Sequence, residues 1–216
     1  LWLQATEDER VRVVVFRVPD NAERMLLAFL EAQRHEGDWQ APDLFIKFDA
    51  AFETGFSYSR ALCDALIESY VASQESFEQQ DVAFDWPFAA LPRPDSAAGF
   101  VALVKSFAEH HAAHFRYAAA ALMPATTTSA GAFDAWLKAA LEAGIPKTVR
   151  LVLVDSPSRP RWDDLLKDRR ETARRIDAPV DMFDIARETA AQSPSSGPAV
   201  AYRQLLADVL ALVEKS

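Results

Sequence analysis

Residues 149–155 read Val-Arg-Leu-Val-Leu-Val-Asp, a short apolar and β-branched run bounded by Pro146 on one side and a Pro-rich turn on the other. A run of this length and character is a strand buried on both faces rather than a helix. Four further runs of similar kind lie along the chain, at 11–18, 44–49, 117–123 and 180–185. Helical patterns separate them. Asp20 with Glu23 forms a capping box ahead of Met25, Leu26, Phe29 and Leu30, in a helix ending near Gly37. A longer pattern spans 57–79, with Leu62, Leu66 and Tyr70 on one stripe. Pro87, Pro92 and Pro94 break the chain. Asp95-Ser96 then starts a helix carrying Phe100, Leu103, Val104 and Phe107. Thr126–Ser129 leads into a helix with Phe133, Trp136, Leu137 and Leu141, stopped by Gly144 and Pro146, and Ser156–Pro160 opens another that runs to about Arg175.

Strands that alternate with helices need crossover connections, and those are almost always right-handed. The expected fold is therefore a three-layer α/β domain over residues 1–188, with a mainly parallel sheet of about five strands and helices on both faces. Residues 189–198 read as a linker. Residues 199–216 carry Tyr202, Leu205, Leu206, Val209 and Val213 on one face, an amphipathic helix either docked on the domain or starting a further helical region.

A net charge of -9 argues against nucleic acid and anionic membrane as partners, because both are polyanions. The local exception is residues 159–175, where seven basic residues meet four acids. Glu171 and Arg175 stand four apart, which suits a solvated helix face better than a phosphate-binding patch. Cys63 is the only cysteine, so neither an intrachain disulfide nor a cysteine-based zinc site can form, and it reads as a small buried hydrophobe. No apolar stretch is long enough to span a membrane, and no basic segment precedes an apolar one at the start. These features point to the cytoplasm, although the chain begins with Leu1 rather than methionine.

In parallel sheets, ligands sit outside the carboxyl ends of the strands. Enzymatic chemistry of a hydrolase type at that edge would draw on Asp20, Asp49, Glu53 or Asp155. Helix capping and turn formation account for Asp20, Ser57, Asp95, Ser129 and Ser158 without any chemistry. No serine has the sharp glycine-flanked elbow that a nucleophile needs. Three of the four histidines, His110, His111 and His114, fall in one stretch, with His110 and His114 a helical turn apart as two metal ligands can be. Helical rotation places His111 and His114 within the Phe100–Phe107 stripe, which favours a partly buried final turn over a metal site. Of the five tryptophans, Trp136 fits the core, whereas Trp39 and Trp86 lie beside loops. The six glycines are isolated, so no phosphate-cradling loop is present and no cofactor is expected.

Over roughly residues 11–185, the order of elements resembles the ATPase core of P-loop NTPases, especially the STAND and AAA-type branch, in topology and strand character rather than in motif. The resemblance would put a phosphate-binding loop after the first strand, where the chain has Arg17-Val18-Pro19-Asp20-Asn21-Ala22-Glu23. It would put a metal-holding acid at the end of a central strand. Residues 117–123 run straight into Pro124, and Asp155 is the strand-end acid in a comparable setting. The resemblance thus implies a degenerate member that has lost nucleotide chemistry. The resulting expectation is a non-catalytic binding or regulatory domain, the amino-terminal part of a longer bacterial protein. Its partner would be another protein, engaged through the 199–216 helix. A hydrolase-type enzyme and a metal-binding protein are the alternatives.

Overall fold

A computed structural model of the chain describes residues 1–19, 23–33, 41–79, 82–88 and 95–177. Five strands, β1 (Val13–Arg17), β2 (Leu44–Phe48), β3 (Ala118–Leu122), β4 (Val149–Asp155) and β5 (Ala173–Asp177), form one sheet in the order β2-β3-β4-β1-β5. Every neighbouring pair is parallel. β4, the most apolar run, takes the centre. β3 beside it is four alanines and a leucine, all buried, and side chains this small let helices close on the sheet from both sides.

The two faces are covered unequally. Along β1, Val13 and Val15 point into one core while Val14 and Phe16 point into the other, the alternation a strand imposes. On the Val14 face lie α1 (Trp2–Ala5) and α2 (Glu23–Ala32), which contribute Trp2, Leu26 and Leu30. On the Val13 face lie α3 (Gly55–Ala72), α5 (Ala97–His110) and α6 (Ala130–Glu142), with the short α4 (Gln74–Gln79) and α7 (Asp163–Asp168) beside them. Full burial of each large apolar side chain contributes about 1.5–3 kcal/mol. A Cβ at Gly55 would stand 3.2 Å from the Trp136 ring, so a larger residue there would oblige the ring to give way slightly. Gly144, at φ +85°, turns the chain out of α6 in a backbone region that few other residues adopt.

Several boundaries differ from expectation, each for a local reason. The 57–79 pattern is two helices, parted at Ser73, whose hydroxyl donates to the Ser69 carbonyl. The cap of α3 is Thr54, which accepts from the Ser57 amide at 3.1 Å while its own amide donates to the Ser57 hydroxyl. Ser96, not Asp95, caps α5, and Ser129 caps α6 as its position suggested. The helix after Ser156–Pro160 stops at Asp168, so residues 173–175 belong to a strand. Glu171 and Arg175 therefore do not share a helix face. The basic stretch is dispersed instead: Arg161 pairs with Asp134, Arg174 with Asp8 and Arg175 with Asp177. The strand expected at 180–185, the linker at 189–198 and the helix at 199–216 lie outside the described residues, as do Asp20 and Trp39.

Polar groups at the amino edge of the sheet are largely paired internally, with Arg150 Nε and the Thr148 hydroxyl buried without a partner among the described residues. The buried Asp43 carboxylate accepts from the Trp2 indole, from two Arg116 nitrogens and from the Tyr117 amide, tying α1 to β2 and β3. Arg150 is wholly buried without a carboxylate partner. Its guanidinium lies 3.5 Å from the Tyr117 ring centroid and donates to the carbonyls of Lys147 and Val149. Burial pulls its pKa down to about 10.

Candidate functional site

Because all five strands run the same way, their carboxyl ends meet on one edge. There the loops after β2, β3 and β4 enclose a cleft of about 590 Å³. Asp49 and Asp155 both line it, two strands apart, while Glu53 is exposed outside it and Asp20 lies outside the described residues. Of the four carboxylates proposed from sequence, the structure thus brings two together.

Neither carboxylate is unengaged. Asp49 pairs with Lys47 at 2.7 Å on the exposed lip. Asp155 is buried at the end of the central strand. The parallel register of β1 and β4 sets it opposite Arg17, and Arg17 Nη2 donates to it at 2.8 Å. Its Oδ1 accepts from the backbone amides of Ser156 at 3.1 Å and Arg161 at 2.9 Å. The same Arg17 nitrogen also reaches Asp163 at the start of α7, so one guanidinium bridges two carboxylates. Its own pKa is driven up, first by the bond to Asp163 and then by that to Asp155. A buried carboxylate with a cation and two amide donors has most of its acceptor capacity engaged, which disfavours a metal-holding or proton-transfer role.

The floor of the cleft is solid. Phe52, Tyr58, Phe133 and Trp136 form an edge-to-face aromatic cluster with centroids about 5–6 Å apart. Trp162 extends it, its indole donating to the Val154 carbonyl at 2.9 Å. Arg161 lies over both Phe133 and Trp162. Burial pushes the Tyr58 phenol's pKa up, away from any acid–base use near neutrality. Arg17 and Asp163 were not singled out from sequence. The available signal was a charged residue closing an otherwise apolar strand, which becomes informative only once its neighbour is known.

The histidines do not converge. His110 is exposed and bonds Asp85 at 2.7 Å. His111 is buried among Tyr70, Phe77 and Phe107, with its Nε2 unpartnered. His114 is exposed, contrary to the helical extrapolation, because α5 ends at His110 and the rotation no longer applies. Burial first, and then the neighbouring His110 and His114, pull the His111 pKa down to about 4. Among the described residues, no group of three histidine, cysteine or acidic side chains is placed to hold a metal ion. Cys63 is buried, and burial lifts its pKa to about 12, which leaves it an inert thiol near neutral pH. Trp86 is a core residue, its ring against Tyr70 and Phe107. No helix among the described residues is long and apolar enough to cross a membrane. The chain matches no protein-family model and none of the curated proteins compared with it.

Proposed function

We propose that this chain is a non-catalytic binding or regulatory domain, built on a core like that of the STAND and AAA-type P-loop NTPases from which nucleotide chemistry has been lost. The observation that carries the reading is the state of Asp155. It ends the central strand beside β1, where the resemblance calls for a metal-holding acid, and it is engaged by Arg17 and two backbone amides. The chain leaving β1 adds to this. Pro19 has no amide to offer a phosphate, no glycine allows close approach, and Asp20 and Glu23 would repel it. The domain acts by holding a protein partner, as the amino-terminal part of a longer bacterial protein in the cytoplasm.

Calorimetric titration with Mg-ATP and Mg-GTP at millimolar concentration, alongside a phosphate-release assay, tests the reading. The expected result is no saturable heat and no turnover. A Kd below about 100 μM, roughly -5.5 kcal/mol, would overturn it. The presence of Asp49 and Asp155 in one cleft favours a second reading, an enzyme with its site on the strand-end loops. Turnover of a phosphate or carboxylic ester that Asp155→Asn abolishes, with the fold retained, would establish that reading instead.

A further inference from the structure

A second and larger cleft, about 970 Å³, runs along the outer edge of β2, which pairs with β3 alone among the described strands. Residues 41–47 form its floor, about 20 Å long at about 3.3 Å per residue. Leu27 and Leu30 of α2 form one wall, and Leu66 and Tyr70 of α3 with Phe107 of α5 form the other. Leu27 and Leu44, 36% and 37% exposed, meet here from two different elements. The charged and histidine side chains lining the cleft are Glu31, Asp43, Lys47, His111 and His114. Asp43 pairs with Arg116, Lys47 pairs with Asp49, and Glu31 is engaged as well. His111 is held uncharged near neutral pH by burial, and His114 is exposed to solvent. With its charges already engaged, the cleft calls for apolar cover.

We infer that residues 199–216 of this same chain, which lie outside the described residues, fill the cleft as an amphipathic helix seated between α2 and α3. The inference goes beyond the binding-domain reading and does not rest on it. At about 3.6 residues per turn, Tyr202, Leu205, Leu206, Val209 and Val213 share one side of such a helix. Its four charged residues, Arg203, Asp208, Glu214 and Lys215, all fall on the other side. The stripe therefore brings no charge into a cleft that has none to pair with it. From Tyr202 to Val213 the stripe runs about 16 Å, which the floor accommodates. The connection is long enough. Asp177 ends β5 at the far side of the sheet, four strand spacings or about 19 Å from β2. Residues 178–198 can span up to about 70 Å when extended. The carboxyl-edge cleft is the poorer seat, being smaller and lined by Asp49, Asp155, Arg159 and Arg161. Covering a sheet edge with a helix is also a common way to block unwanted strand pairing.

The test is leucine-methyl NMR of the full chain carrying a nitroxide at Ala207→Cys, a position off the stripe. Cys63 is buried and stays unmodified. Doubly labelled molecules are diluted in unlabelled protein, so that contacts within one chain are read. The expected result is loss of the Leu27, Leu30, Leu44 and Leu66 signals, with those of Leu165 and Leu166 retained, since α7 lies against β5 on the opposite side. Adding Leu205→Asp and Leu206→Asp should bring the four signals back. Persistence of the four signals in the spin-labelled protein overturns the inference and leaves the cleft to a partner protein. Loss that survives the two aspartates, or that extends equally to Leu165 and Leu166, overturns it because the stripe is then not what seats the segment. Loss seen only when nitroxide and methyl label are on different chains overturns it in favour of a second copy.

Discussion

The carboxyl edge of the sheet and the outer edge of β2 are both concave, yet their polar groups are engaged to different degrees. At the carboxyl edge, Arg17, Asp155, Asp163 and the Trp162 indole bond one another or nearby backbone above a packed aromatic floor, and only Arg17 Nε and the Tyr58 hydroxyl are buried there without a partner among the described residues. At the β2 edge, the peptide groups of Phe45 and Lys47 face away from β3 and have no hydrogen-bond partner among the described residues. Internal pairing contributes to folding and leaves little to offer a ligand. Unpaired backbone contributes nothing until something arrives. The contrast predicts that substitutions at the two edges cost stability unequally.

The largest effect is expected from Phe133→Ala, which removes the ring shared by Phe52, Tyr58 and Trp162. Loss of a buried aromatic of this kind costs about 3–5 kcal/mol. Urea denaturation should show the midpoint falling with an unchanged slope. Arg17→Met comes next. It leaves the Asp155 carboxylate buried with its two amide donors but no cation, at a cost near the lower end of about 3–5 kcal/mol. The double change Arg17→Met with Asp155→Asn should recover part of that loss. If Arg17→Met alone is neutral, the carboxyl edge is not held as the structure indicates, and the comparison fails there.

A smaller and pH-dependent effect belongs to His111, which follows α5 and packs against Tyr70, Phe77 and Phe107. Its folded pKa of about 4 lies below the usual histidine value of about 6.5. Between those values the unfolded chain holds the proton that the folded chain excludes. Stability is therefore full above pH 6.5 and declines as pH falls toward 4, with a slope of at most about 1.4 kcal/mol per pH unit from this one group. His111→Leu should flatten that part of the stability–pH curve relative to wild type. An unchanged slope would mean that His111 is hydrated in solution.

Much of the fold was legible because period and punctuation agree. β1 to β4 are short runs rich in apolar or β-branched residues, and Ser129 and Gly144 bound α6 where their backbone preferences predict. β5 was misread because Ala-Arg-Arg-Ile-Asp has only two buried positions and resembles the charged end of a helix. Its edge position explains that composition, and edge position is a tertiary property. The candidate site was legible in part. Parallel strands necessarily gather Asp49 and Asp155 on one edge, but the Arg17–Asp155 pair spans 138 residues and depends on β4 lying beside β1. Spacing along the chain does not encode that adjacency. The free groups of β2 depend on strand order in the same way, since a strand is an edge only by virtue of where the others lie.

The smallest expected effect bears most directly on the β2 side of the comparison. The amides of β2 alternate between β3 and the cleft, so proline scanning at adjacent positions should give opposite answers. Ile46→Pro removes an amide that the parallel register directs at β3. It forfeits a ladder bond, about 0.5–1.5 kcal/mol net, and leaves a buried carbonyl short of a donor, which adds about 1–3 kcal/mol. Lys47→Pro removes an amide that has no partner among the described residues, on a strand paired on one side only among them, where proline is tolerated. The remaining cost is the mismatch between proline's φ and that of a parallel strand, together with the loss of an exposed Lys47–Asp49 pair worth about 0–1 kcal/mol. Lys47→Pro should therefore lower stability by about 1 kcal/mol at most, and Ile46→Pro by clearly more, in parallel urea titrations. Equal losses would show that the Lys47 amide is engaged in solution.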